Sequence, residues 1–90
     1  MSAFYEYIRR NLRYPALPRQ QGVEGKVFVQ FVVETDGSLT NVEVIRGIGS
    51  GYDEEAVRVV RQSVPWNPGT QNGKLVKVRM VLPITFKLND

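Results

Sequence analysis

Three stretches of this 90-residue chain could carry chemistry: the acidic run Asp53-Glu54-Glu55, the glycines Gly47, Gly49 and Gly51 ahead of it, and the alternating segment from Lys74 to Leu88. Clustered carboxylates are the first place to look for acid–base work. Here the sequence offers no accompanying set of reacting groups, and it contains no histidine and no cysteine. Imidazole catalysis, thiol nucleophiles, the usual zinc ligands and disulfides are thereby excluded together. A simpler role for the three acids is to crowd the first turn of a helix, where the positive end of its dipole favours negative charge. The glycines precede that helix as a phosphate loop would. They lack the lysine and hydroxyl that hold phosphate and metal, and they follow a hairpin. No catalytic, cofactor-binding or metal-binding residue is therefore expected, and the chain does not read as an enzyme.

The third stretch points to binding. Val76, Val78, Met80, Leu82, Ile84, Phe86 and Leu88 are apolar at every second position, while Lys77, Arg79, Thr85 and Lys87 are polar between them. Such a period of two predicts a half-buried strand. Pro83 places it at a sheet edge, because proline cannot donate the hydrogen bond a central strand requires. A long edge, only partly guarded by Lys77, Arg79 and Lys87, can capture an extended peptide by strand addition. It can equally be an edge guarded by charge, or one closed by a homodimer. Pro83 is best tolerated where its nitrogen points outward, so Lys77, Arg79, Val81 and Thr85, which share its parity, are expected to form the peptide ladder, mainly along Lys77 to Val81.

The elements that position this edge follow from the patterning. Phe4, Ile8 and Leu12, widened by Tyr5, predict a helix over residues 3–13, capped by Ser2 and stopped at Tyr14-Pro15. Residues 14–25 read as an extended loop. Alternation over Lys26–Glu34, with Val27, Val29, Phe31 and Val33 on one face, and over Thr40–Arg46, around Thr35-Asp36-Gly37-Ser38, predicts a hairpin over 26–46. A second helix over 53–63 presents Ala56, Val59, Val60 and Ser63, and the edge strand spans 74–88. The fold expected is a single α+β domain over residues 1–90 in the order α-β-β-α-β. Its three-stranded antiparallel sheet has strand order 2-1-3, with two helices on one face. The expected core is Phe31, Val42, Val60, Met80, Leu82 and Phe86. Trp66 reads as a core or loop anchor.

Composition narrows the partners. The net charge of +3 arises from 12 basic and 9 acidic residues, and much of the excess lies in Arg9, Arg10, Arg13 and Arg19. That is short of the concentrated basic stripe of a nucleic-acid binder. The longest mostly apolar stretch, Val27–Val33, is strand-length and contains Gln30. Neither a membrane span nor a secretory signal is expected, so any membrane anchor of the parent protein lies outside this sequence.

Several segments resemble one known family when read in order: Tyr14-Pro15-Ala16, Gly22-Val23-Glu24-Gly25-Lys26-Val27, Phe31-Val32-Val33 with Asp36-Gly37, and Asn41-Val42. Asp53-Glu54-Glu55-Ala56-Val57, Trp66-Asn67-Pro68-Gly69 and Pro83-Ile84-Thr85-Phe86 complete the set. This series is similar to the C-terminal domain of TonB-type energy transducers, and closest to the versions in Bacteroidetes-type transducers. The resemblance implies a periplasmic domain on a long linker from an inner-membrane helix that associates with a proton-driven motor. Its partner would be the TonB box of an outer-membrane transporter, pairing with the last strand. It also implies receptor contacts at Asn11, Tyr14 and Pro15. Related domains occur in membrane sensor peptidases and in orphan proteins without a receptor, and a homodimer is a further possible assembly.

Overall fold

The computed structural model describes residues 2–16, 20–49 and 51–88, the side chains of Ser2 and Ala3 excepted. The expected Ser2 cap, the middle of the 14–25 loop and Ser50 of the glycine loop lie outside the described residues. Among the described residues, α1 (Ser2–Asn11) leads into β1 (Gly25–Val33) and β2 (Leu39–Arg46). These are followed by α2 (Tyr52–Arg61), a short β3 (Gly69–Gln71) and β4 (Lys74–Val76), and β5 (Val78–Phe86). The main sheet has the order β2-β1-β5 and is antiparallel throughout, which is the expected 2-1-3 arrangement.

Period-two alternation decides which face is buried. Val27, Val29, Phe31 and Val33 of β1 and Leu82, Ile84 and Phe86 of β5 lie in the core together with Phe4 and Ile8 of α1 and Tyr52, Ala56, Val59 and Val60 of α2. Both helices therefore cover the same face of the sheet. Of the expected core, Phe31, Val60, Leu82 and Phe86 are buried, whereas Val42 and Met80 pack against it only partly buried. Val42 sits in the outer strand β2 and Met80 toward the start of β5, where less of the chain covers the face. Trp66 anchors the segment after α2: its ring lies 5.1 Å from those of Phe4 and Phe31, and its indole N–H donates to Ser63 Oγ.

The β1–β2 turn holds that segment in place. Gly37 adopts φ 88°, and its carbonyl accepts the Trp66 N–H at 2.9 Å. A Cβ at Gly37 would fall 2.5 Å from the Trp66 carbonyl oxygen, so both the backbone angle and the close approach demand glycine.

Four expectations are corrected. The strand expected over 74–88 is broken: residues 74–76 pair with 69–71 in a separate hairpin, and β5 begins only at Val78. The cause is Asn72-Gly73, both with positive φ (53° and 77°), the two-residue turn whose twist matches that of paired strands. The second helix starts at Tyr52 and ends at Arg61, not 53–63, because Tyr52 supplies its largest buried side chain. Helix α1 ends at Asn11 rather than 13, where the Arg58 guanidinium takes the Asn11 carbonyl that the helix leaves open. Tyr5 is 48% exposed and not part of the buried stripe; Tyr7 instead faces α2, donating its hydroxyl to the Val59 carbonyl at 2.9 Å.

The two helices are joined by one ion pair used in several ways. Arg58 donates from Nε and Nη2 to the two carboxylate oxygens of Glu55 at 2.8 and 2.7 Å, and the same carboxylate accepts the Arg13 N–H at 2.6 Å. Asp53, in contrast, turns back to accept the Ile48 and Gly49 N–H groups, so these acids have structural partners. Burial raises the Glu55 carboxyl, but its hydrogen bonds from Arg58 and Arg13 outweigh this and hold it below its ordinary value of 4.5. A carboxylate depressed on folding stabilises the fold above its unfolded-state value, and that contribution is lost as pH falls through the folded one. Glu55→Gln should therefore cost about 1–2 kcal/mol at neutral pH, less than a fully buried pair because Arg58 is partly exposed. Urea denaturation of parent and variant checks this. The gap should close in strong acid, and a gap that persists unchanged there contradicts the assignment.

Candidate functional site: the open edge of β5

A three-stranded sheet has two edges, and they differ in kind. Along β1–β2 the register shifts twice, opposite Phe28/Val29 and Gln30/Val32, and Asn41 sits at φ 53°. Such irregularities twist an edge and break its row of donors and acceptors. Along β1–β5 the register runs from Gly25↔Phe86 to Val33↔Val78 without a shift. A regular nine-residue strand therefore forms the other edge.

The hydrogen bonds just beyond β5 tell which backbone groups point away from the sheet. The Lys87 N–H donates to the Tyr14 hydroxyl at 2.9 Å, and that hydroxyl donates to the Lys87 carbonyl at 3.1 Å. Leu88, the next residue, sends its N–H to Glu24, which immediately precedes β1. Backbone direction alternates along a strand, so Arg79, Val81, Pro83 and Thr85 share the outward parity of Lys87. Pro83, opposite Phe28, thus sits where no donor to β1 is needed. The side chains of Arg79, Val81 and Thr85 are exposed on the face opposite the helices.

Helix α1 lies beside this edge. A cavity of about 380 Å³ is lined by Tyr5, Ile8, Arg9, Leu12, Tyr14 and Thr85. A second one of about 510 Å³ opens near the start of β5, with Phe4, Tyr7, Trp66, Val78 and Met80 among its walls. Of the residues expected from the sequence, the structure thus brings together Tyr14 and Thr85 in one cavity and aligns Arg79, Val81 and Thr85 along one edge. Pro15 lines a neighbouring hollow with Arg13, Tyr14 and Glu54 and packs against Gly51. Asn11 is exposed at the end of α1, its amide donating to the Tyr7 carbonyl. Lys77 stands apart, in the break between β4 and β5, with Nζ 3.6 Å from Glu34. Sequence reasoning missed Tyr5 and Arg9 as neighbours of the edge. The signal was present, since placing Phe4 and Ile8 inward turns Tyr5 and Arg9 one step round the helix, toward solvent.

Residues 10–88 match the family described as Gram-negative bacterial TonB protein C-terminal. The chain belongs to the TonB C-terminal family. Over 79 residues it is 41% identical to a Helicobacter pylori TonB, covering 87% of this chain and 27% of that protein. A Pseudomonas aeruginosa TonB is 27% identical over 75 residues, covering 83% of this chain and 22% of the relative. The chain thus spans about a quarter of the length of the curated relatives it matches. Among solved structures, a Helicobacter pylori TonB C-terminal domain superposes with a TM-score of 0.77 at 23% identity, covering 99% of this chain and 94% of the other. The Pseudomonas aeruginosa domain does so with a TM-score of 0.64 at 26% identity, covering 87% and 79%.

In this TonB-type domain Tyr14 is fixed twice, by the Lys87 backbone and by its ring, which meets Phe86 edge-on at 5.2 Å and Tyr52 at 6.1 Å. Tyr14→Phe keeps the rings and loses both hydrogen bonds, so it should cost only about 0.5–1.5 kcal/mol. Hydrogen exchange read by NMR should show the Lys87 amide faster in the variant and the amides of β1 unchanged. An unchanged Lys87 amide contradicts the contact.

Proposed function

We propose that this domain is the periplasmic, receptor-binding end of a TonB-type energy transducer, a non-enzymatic module that captures the TonB box of an outer-membrane transporter as an added strand on β5. The observation that carries the reading is the contrast between the two sheet edges: β2 is irregular, whereas β5 is regular and turns backbone groups outward at Arg79, Val81 and Thr85. Strand addition needs an outward row of donors and acceptors in a regular register, and among the described residues the register of β5 favours it over the irregular β2. Lys77 lies before the strand, so the ladder begins at Arg79; Pro83 contributes an acceptor and no donor, and Thr85 resumes the row. Backbone pairing is nearly blind to sequence. Selectivity then comes from the flanking side chains, with Tyr14 beside the far end of the edge and Asn11 and Pro15 on the same segment of chain. The exposed cations Arg79 and Lys87 favour an acidic residue in the partner.

Membership of the TonB family supports a role in transport across the outer membrane, in which an anchor and a proton-driven motor act through a part of the protein preceding this chain. Pulling on a strand held by backbone bonds would then transmit force from that motor to the transporter, coupling proton motive force to uptake of iron chelates or other nutrients.

Titration of the labelled domain with TonB-box peptides from the transporters of the same genome tests the reading. Binding should perturb β5 and leave β2 unmoved. Arg79→Pro should remove an outward donor only, so it should keep the fold and reduce affinity at least tenfold, the loss expected from about 1.4 kcal/mol. Undiminished binding by a folded Arg79→Pro domain contradicts the edge assignment, and so does a variant that fails to fold.

A further inference from the structure

The edge of β5 is bounded as well as open, and its far boundary is a side chain. A strand added to β5 exchanges backbone bonds with every second residue, and after Arg79, Val81, Pro83 and Thr85 the next in line is Lys87. Both backbone groups of Lys87 are already taken, its N–H and its C=O meeting the single hydroxyl of Tyr14 at 2.9 and 3.1 Å. In an antiparallel pair those are the two bonds that a partner residue would exchange. The Tyr14 oxygen thus stands in the place of one rung of an incoming strand.

The hydroxyl is not free to leave. Its ring is braced edge-on by Phe86 and Tyr52, which stack on each other at 4.2 Å and 17°. Tyr52 is in turn fixed by its own hydroxyl, which donates to the Val23 carbonyl at 2.6 Å. The backbone leading into Tyr14 is held too, through the bond from the Arg13 N–H to Glu55. At the opposite end the edge stops where the chain turns into the β3–β4 hairpin and Lys77 approaches Glu34.

We infer that Tyr14 is a strand stop: it ends the ladder at Thr85 and so fixes both the length and the register of the strand that β5 accepts. The inference rests on the proposed reading of the edge and adds what that reading lacks. Backbone pairing by itself lets a peptide slide by two residues at a time without changing which face its side chains occupy. With a stop at one end and the hairpin at the other, only one placement fills every rung, and a slipped strand leaves a rung empty. Tyr14 acts on the partner's position, and its ring keeps its place in the core contacts whether or not a partner is present.

The test uses a nested series of TonB-box peptides, lengthened at either end, titrated into the parent, Tyr14→Phe and Tyr14→Ala. For the parent, affinity should stop rising once the peptide reaches Thr85, and the Lys87 amide should not respond to any peptide. Both variants free the Lys87 groups, so the longer peptides should gain about fivefold, the value of one net hydrogen bond of about 1 kcal/mol, with new protection of the Lys87 amide. A structural role alone would shift stability without changing this dependence on length. The inference is overturned if parent and variants share one length dependence, or if long peptides displace Tyr14 from Lys87 in the parent. If no peptide of any length binds the parent, the reading of the edge itself falls and takes the inference with it.

Discussion

The pairing of β1 with β5 is the constraint on which the rest of the molecule depends. It joins the first strand to the last across the longest sequence separation in the sheet, in one register from Gly25↔Phe86 to Val33↔Val78. That register aligns Val27, Val29 and Phe31 with Ile84, Leu82 and Met80 on the face that the helices cover. A slip of one residue would turn the apolar side chains of β5 to solvent. Among the described residues no further strand pairs with β5 beyond β1, so β5 is terminal, and its second row of backbone groups is left facing outward. The core and the candidate site are therefore consequences of the same ladder.

What borders that row is set by the helices. α2 holds α1 through Tyr7 and the Val59 carbonyl and through the Glu55–Arg58 pair, which also takes the Asn11 carbonyl and the Arg13 N–H. These bonds bring the chain out of α1 in position to deliver Tyr14 to Lys87. Most of them use backbone groups, for which the surrounding sequence is nearly irrelevant. An ion pair at the helix junction thus has a geometric consequence at the edge, by fixing where the extended segment after α1 begins.

Much of this could be read from the sequence, and the misses have physical causes. Alternation in Val27–Val33 and in Leu82–Phe86 reports a face that is buried along its whole length, and it marked both strands; their order followed from the hairpin and the crossover, and the edge from the missing N–H of Pro83. The expected strand over 74–88 went wrong because Val76 continues the alternation across a change of pairing partner at Lys77 that only Asn72-Gly73 announces; a two-residue turn competed with periodicity and won. Tyr5 and Tyr7 illustrate the opposite difficulty. Both are aromatic on a short helix, and which one faces inward depends on where α2 supplies an acceptor, a tertiary fact absent from local spacing. Tyr52 could have been found, since it precedes Ala56 and Val59 at helical intervals. The bond from Tyr14 to Lys87 could not, because it spans 73 positions and involves only backbone groups on one side.

Amide hydrogen exchange along β5 in the free domain is the most direct measurement of the central claim, that this strand has one bonded and one open edge. Exchange reports whether each N–H is held by a partner, residue by residue, without requiring any ligand. The account predicts slow exchange at Met80, Leu82 and Ile84, whose N–H groups face β1, and fast exchange at Arg79, Val81 and Thr85 between them. Slow exchange at Arg79, Val81 and Thr85 in the monomeric domain, or the reverse alternation, would contradict it.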